Sequence, residues 1–229
     1  MSRIVGSLAA ATLLVLGTAC SQPNSSSYPD AVAVQPAAAR VLALACGFVS
    51  EGVGVFVAPD LIATNAHVVA GGEQIQIRTA ESTIDATLVG FDPKLDLALL
   101  KTRVMPPGVF VPEISAEDPI KGDIGLVAVF SDDGKFVTIP YEVTRAIVAS
   151  GTDIYGQGKH FRRALDLETV IRPGDSGAAL FDESARVVGI AFASSRNVDG
   201  VTYAIAASEL RSFLEASDPS TTVDSGACY

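Results

Sequence analysis

Three short segments carry side chains that can do chemistry together. Thr64-Asn65-Ala66-His67-Val68-Val69 holds one of the chain's 2 histidines. Asp92-Pro93-Lys94-Leu95-Asp96 runs into the apolar stretch Leu97–Leu100, and Arg172-Pro173-Gly174-Asp175-Ser176-Gly177 sets a serine between glycines. A serine hydroxyl is a poor nucleophile at neutral pH. It needs a base within hydrogen-bond reach, and the base needs a third group that fixes its tautomer. His67 can take the proton of Ser176, and Asp96 can hold the other ring nitrogen. The oxyanion that forms during acyl transfer needs preorganised donors. The stretch Gly174-Asp175-Ser176 is assigned that oxyanion hole, with the backbone N–H groups of Gly174 and Ser176 as its donors. Each segment alone has a plain structural reading: a buried histidine, a strand with one surface aspartate, a turn. All three occur once, in the order His, Asp, Ser, with 29 residues from 67 to 96 and 80 from 96 to 176.

The elements that must position these groups are short. Val41–Val49, Val53–Ala58, Leu61–Thr64, Ile75–Arg78, Ala86–Phe91 and Leu97–Thr102 read as strands. Met105–Ile114, with three prolines and a glycine, reads as a connection between two halves. A second set follows at Gly125–Phe130, Val137–Val148, Phe161–Ile171, Ala178–Phe181, Val187–Phe192 and Val201–Ala206. Two batches of about six strands without long helices between them predict an all-β fold of two packed six-stranded antiparallel barrels. One short helix is expected near the end, capped by Ser208, with Leu210, Phe213 and Leu214 on one face. Two loops rich in Gly and Asp, Ser131–Lys135 and Ala149–Lys159, are read as surface loops. The second is long enough to order around a substrate.

The three segments resemble those of the trypsin/chymotrypsin superfamily, and most of all its bacterial, HtrA-like branch. Gly52-Val53-Gly54-Val55-Phe56-Val57 and Asp96-Leu97-Ala98-Leu99-Leu100 carry the likeness beyond the histidine and serine segments. The resemblance covers about Val41 to Cys228. It implies a chymotrypsin-like double barrel, endopeptidase activity and a covalent acyl-enzyme. It also implies a specificity pocket lined by Val170, Ala193, Ser194 and the strand from Val201. Val170 falls at the pocket floor, where no acid is present, so a small or medium apolar residue before the scissile bond is expected rather than Arg or Lys. Phe192 stands where many relatives have a serine that supports the triad aspartate. A PDZ-like segment after the domain and a multi-helix membrane domain before it are not expected.

Outside that domain, residues 1–19 read as a signal peptide, with Arg3 before the apolar run Leu8–Leu16 and small residues before a cut. Leu16-Gly17-Thr18-Ala19-Cys20 resembles a lipobox, so Cys20 is read as a lipidation site and membrane anchor. The alternative is ordinary cleavage after Ala19, which leaves a free thiol. Residues 20–40, rich in Ser, Pro and Ala, read as a flexible tether, and residues 41–229 as the protease domain. Cys46 and Cys228 bracket the domain and are expected to pair in an oxidising compartment, two buried thiols being the alternative. The net charge of -10 excludes a nucleic-acid partner, which would need clustered Lys and Arg. No metal and no cofactor are expected: the other histidine, His160, sits among Lys159, Arg162 and Arg163 as a solvated loop residue. The sequence therefore predicts an exported monomeric serine endopeptidase acting on proteins or peptides. The competing readings are a catalytically silent lipoprotein that holds peptides in the same cleft and an esterase with the same triad.

Overall fold

An apolar run of four or five residues buries little alone, and the chain joins such runs edge to edge until no edge is left. The computed structural model describes residues 28–229. The segment expected to be a leader, residues 1–19, and Cys20 lie outside the described residues. β1 (Ala38–Ala45), β2 (Phe48–Ala58), β3 (Leu61–Thr64), β4 (Gly72–Arg78), β5 (Thr83–Asp92) and β6 (Leu97–Thr102) close into an antiparallel barrel in the order β1-β2-β3-β6-β5-β4. β7 (Ile124–Phe130), β8 (Phe136–Gly151), β9 (His160–Glu168), β10 (Ala179–Phe181), β11 (Val187–Ser194) and β12 (Val201–Ala206) close a second in the order β10-β11-β12-β9-β8-β7. Among the described residues, three short α-helices accompany them: α1 (Ala31–Val34), α2 (Ala66–Val69) and α3 (Ala207–Ala216). The architecture is the all-β, two-barrel one that the sequence predicts.

Successive side chains of a strand face opposite ways, so a strand buried on both faces reads as an unbroken apolar run. In β6, Ala98 and Leu100 fill the first barrel while Leu97 and Leu99 face the second. In β10, Leu180 fills the second barrel while Ala179 and Phe181 pack between the two. Val55 of β2, Ile205 of β12 and Leu210 and Phe213 of α3 complete that middle layer. The functional segments sit at its edge: α2 directly follows β3, and the Ser176 loop leads into β10.

Three sequence expectations are corrected. Val41–Val49 is not one strand, because Cys46 and Gly47, both at positive φ, turn the chain from β1 into β2. Such a two-residue turn matches strand twist. The end of the tether is packed structure: α1 and a 3-10 turn (Gln35–Ala37) precede β1, and Val34, Ala37 and Ala39 are fully buried. Ser208 does not cap α3. The helix starts after Ala206, and Asp118, from the segment joining the barrels, accepts from Ser208 N at 2.8 Å and Ser208 Oγ at 2.6 Å. A carboxylate at this position satisfies an otherwise orphaned N–H and complements the helix dipole.

Candidate active site

His67 sits in the single turn of α2, immediately after β3. Asp96 closes the β5–β6 connection, where it adopts φ 61° and is 4% exposed. Asp92 Oδ1 accepts from the N–H groups of Lys94 (2.8 Å) and Leu95 (2.9 Å), which folds the connection tightly. Asn65 Nδ2 donates to Asp96 O at 2.9 Å and ties the two segments together. The Asp96 carboxylate accepts from His67 N at 3.0 Å and faces His67 Nδ1 at 2.8 Å through Oδ2. An ionised carboxylate only accepts, so Nδ1 carries the ring proton and Nε2 is left as the acceptor.

Ser176 comes from the second barrel and is held against the first. Val53 N donates to Ser176 O at 2.8 Å, and Val53 O accepts from Thr64 Oγ1 at 2.7 Å. One residue of β2 thus grips the serine loop and the segment leading to His67. Gly177, at φ 89°, fits beside Val53 O and Thr64 Oγ1, where a Cβ would collide with both. His67, Asp96 and Ser176 line one cleft. Ser176 Oγ makes no hydrogen bond to His67 in this structure, and such contacts commonly tighten only with substrate bound.

Before Ser176, Asp175 N donates to Arg172 O at 3.0 Å, and Gly174 has φ 98°. With Pro173 second and Gly174 third, this is a type II turn. Its middle peptide, which carries the Gly174 N–H, is turned over relative to type I. The N–H groups of Asp175 and Gly177 are spent on Arg172 O and Ala191 O. Those of Gly174 and Ser176 have no protein acceptor among the described residues. Asp175 therefore leaves the set of oxyanion donors expected from sequence. Its carboxylate accepts from Arg172 N at 2.7 Å. Burial pushes that carboxyl above its ordinary value, against the Arg172 N–H and the Arg172 charge.

Of the expected pocket residues, Ala193 and Ser194 line the cleft, facing Ile171, Arg172 and Pro173. Ser194 Oγ donates to Ile171 O at 3.0 Å and ties these two walls. Val170 instead borders a separate cavity with Val53, Val129 and Ile139. The strand expected over Phe161–Ile171 ends at Glu168, so both residues lie in the segment that leads from β9 to the Ser176 loop, where Val170 is exposed and Ile171 is buried against the cleft. Val201 lies off the cleft, at the start of β12 opposite Glu168.

Arg162, Arg196 and Tyr229 line the cleft without a role assigned from sequence. Arg162 of β9 lies with its guanidinium 4.4 Å from the centre of the Phe192 ring. Nothing in His160-Phe161-Arg162-Arg163 distinguishes it from its neighbours. Tyr229 reaches the cleft because Cys228 is disulfide-bonded to Cys46, with Cα atoms 6.1 Å apart. The signal for Tyr229 was its adjacency to a bridging cysteine. Among the described residues no cluster of His, Cys, Asp and Glu is arranged to hold a metal ion.

Comparison with known proteins places these features in context. The trypsin-like peptidase domain family matches residues 52–190. The serine protease Rv3671c of Mycobacterium tuberculosis is 31% identical over 220 residues, covering 93% of this chain and 54% of that protein. A probable periplasmic serine endoprotease, DegP-like, of Pseudomonas putida is 33% identical over 164 residues, covering 68% of this chain and 32% of that one. The chain thus spans about half the length of one relative and a third of the other. The crystal structure of the M. tuberculosis Rv3671c protease in its active form superposes with a TM-score of 0.81 at 29% identity, covering 93% of this chain and 99% of that one. The inactive form gives 0.69 at 28% identity, covering 82% and 96%.

Proposed function

The chain belongs to the trypsin-like peptidase domain family, and we propose that it is a serine endopeptidase with His67, Asp96 and Ser176 as its triad. Ser176 Oγ attacks the scissile carbonyl while His67 Nε2 takes its proton. Asp96 holds the Nδ1–H tautomer and stabilises the imidazolium that forms. The carbonyl oxygen, now negative, accepts from the N–H groups of Gly174 and Ser176. The intermediate collapses to an acyl-enzyme as His67 returns the proton to the leaving amine. Water then repeats the sequence and frees the acid. The observation that carries this reading is the His67 Nδ1–Asp96 pair at 2.8 Å on the rim of a cleft shared with Ser176. Similarity to the active form of a related protease supports it.

The preferred residue before the scissile bond is small and apolar in this reading. The Ser194–Ile171 hydrogen bond narrows the slot, and Arg172 and Arg196 in the cleft repel Arg and Lys side chains. The leader at 1–19 and the Cys46–Cys228 disulfide support an exported protein, anchored through Cys20 or released, with the tether ending near residue 30 rather than 40. The domain works as a monomer on proteins or peptides.

A fluorophosphonate probe tests the chemistry. It labels the protein on Ser176, and Ser176→Ala abolishes the label and lowers kcat by about 10⁴- to 10⁶-fold. Undiminished labelling of Ser176→Ala overturns the assignment. Casein and peptide substrates then separate an endopeptidase from an esterase.

A further inference from the structure

The β5–β6 connection holds Asp96 in a backbone conformation that a residue with a Cβ occupies only when its surroundings insist. Its N–H groups at 94 and 95 are taken by Asp92, and its carbonyl at 96 by Asn65. All these partners belong to the first barrel. The carbonyls of Lys94 and Leu95 are taken from the other side of the molecule: Arg162 Nη1 donates to both, at 3.3 Å each. Arg162 rises from β9 of the second barrel, and its guanidinium rests on the ring of Phe192, in β11.

We propose that Arg162 is a positioning residue, which fixes Asp96 and through it His67 against the barrel that carries Ser176. This deepens the proposed function and rests on it. Asp96 and His67 belong to one barrel and Ser176 to the other, so a small sliding between barrels separates base from nucleophile. Arg162 bridges that seam beside Asp96. Its Nη1 reaches both carbonyls, and its flat face uses an aromatic platform that an ammonium group cannot use as well. Burial lowers the proton affinity of the guanidinium, while the charges of Asp96 and Glu209 raise it.

The test uses Arg162→Met, which keeps an apolar stem without charge or fork, and Arg162→Lys, which keeps charge without the plane. With a peptide substrate, Arg162→Met lowers kcat by about 10- to 100-fold with KM little changed, the cost of a small misplacement of the base. Arg162→Lys recovers only part of that loss. In the Ser176→Ala protein, where no turnover is needed, the low-field NMR signal of the His67 Nδ1 proton is lost or shifted when Arg162 is replaced by Met. Wild-type kcat together with an unmoved proton signal in Arg162→Met overturns the proposal. Should Arg162→Met fail to fold, Arg162→Lys decides. A lowered kcat at constant KM supports the role, and a wild-type kcat overturns it. Failure of wild-type Ser176 to take the fluorophosphonate would instead refute the underlying protease reading.

Discussion

The ring of Tyr229 lies 5.4 Å from the imidazole of His67, centroid to centroid, tilted by 42°. Tyr155 OH donates to Ala227 O at 3.1 Å, and Gly71 N donates to Ser225 O at 3.0 Å, so the segment before Tyr229 is fixed at several points. A substrate side chain that would rest on the imidazole must share its surface with this ring. Tyr229→Ala is therefore expected to raise kcat/KM for peptides with a bulky residue beside the scissile bond by about three- to tenfold, the equivalent of a contact worth about 1 kcal/mol. Peptides with small residues there change little. Kinetics on a matched pair of peptides checks the difference, and equal effects on both would discount the contact.

The same segment depends on the Cys46–Cys228 disulfide, which spans 182 residues of sequence. Closing so long a loop stabilises the fold by at most about 5 kcal/mol in the chain-entropy account. Cys46→Ser or Cys228→Ser should lower Tm by up to about 10–20 °C for a domain of this size. Freed of its tether, Tyr229 should also lose its hold on His67, so these variants share the substrate relaxation of Tyr229→Ala. Calorimetry with and without a reductant, beside the paired peptides, measures both effects.

How much of this was legible depended on whether a signal was local. Leu61–Thr64, Leu97–Thr102 and Val201–Ala206 coincide with β3, β6 and β12, because each is an apolar run buried on both faces and bounded by turn residues. His67, Asp96 and Ser176 stood out by type and by the glycines and apolar runs beside them. The Cys46–Gly47 turn was hidden because neither flank changes composition. Ser208 looked like a cap, yet the acceptor is Asp118, 90 residues earlier. Val170 and Ile171 are neighbours in sequence, but only Ile171 reaches the cleft, and that depends on the path of the irregular segment between β9 and the Ser176 loop. Arg162 acquires a role only when β9 and the β5–β6 connection meet across the seam. No periodicity encodes that meeting.

Burial raises the carboxyl of Asp175 above its ordinary value, with the Arg172 N–H and charge opposing that shift. A carboxyl that binds its proton more tightly when folded supports stability below its unfolded pKa. That support is lost as pH rises through the folded value. Wild-type protein should therefore lose stability relative to Asp175→Asn on going from about pH 3.5 to pH 7. Asn keeps an acceptor for Arg172 N without the cost of a buried charge. Urea midpoints of both proteins at the two pH values give the sign, and a gap that shrinks toward neutrality would contradict it.

Gly174 and Gly177 flank the proposed nucleophile, both at positive φ, yet their replacement by alanine should fail in different ways. At Gly174 a Cβ meets no atom within 4 Å, so the obstacle is the backbone angle of 98° alone. The cheapest relief is to turn over the Pro173–Gly174 peptide into a type I turn, which carries the Gly174 N–H away from the cleft. Gly174→Ala should thus fold with nearly wild-type Tm while kcat falls by about 10²- to 10³-fold, the cost of one oxyanion donor. At Gly177 a Cβ collides with the Val53 carbonyl and the Thr64 hydroxyl, both fixed by the packing that joins the barrels. No peptide rotation at Ser176 relieves that clash, so Gly177→Ala should lower Tm by several degrees, in line with overpacking costs of about 1–3 kcal/mol. Thermal melts and peptide kinetics on the two variants separate the cases. A Gly174→Ala protein with undiminished kcat would remove that N–H from the chemistry.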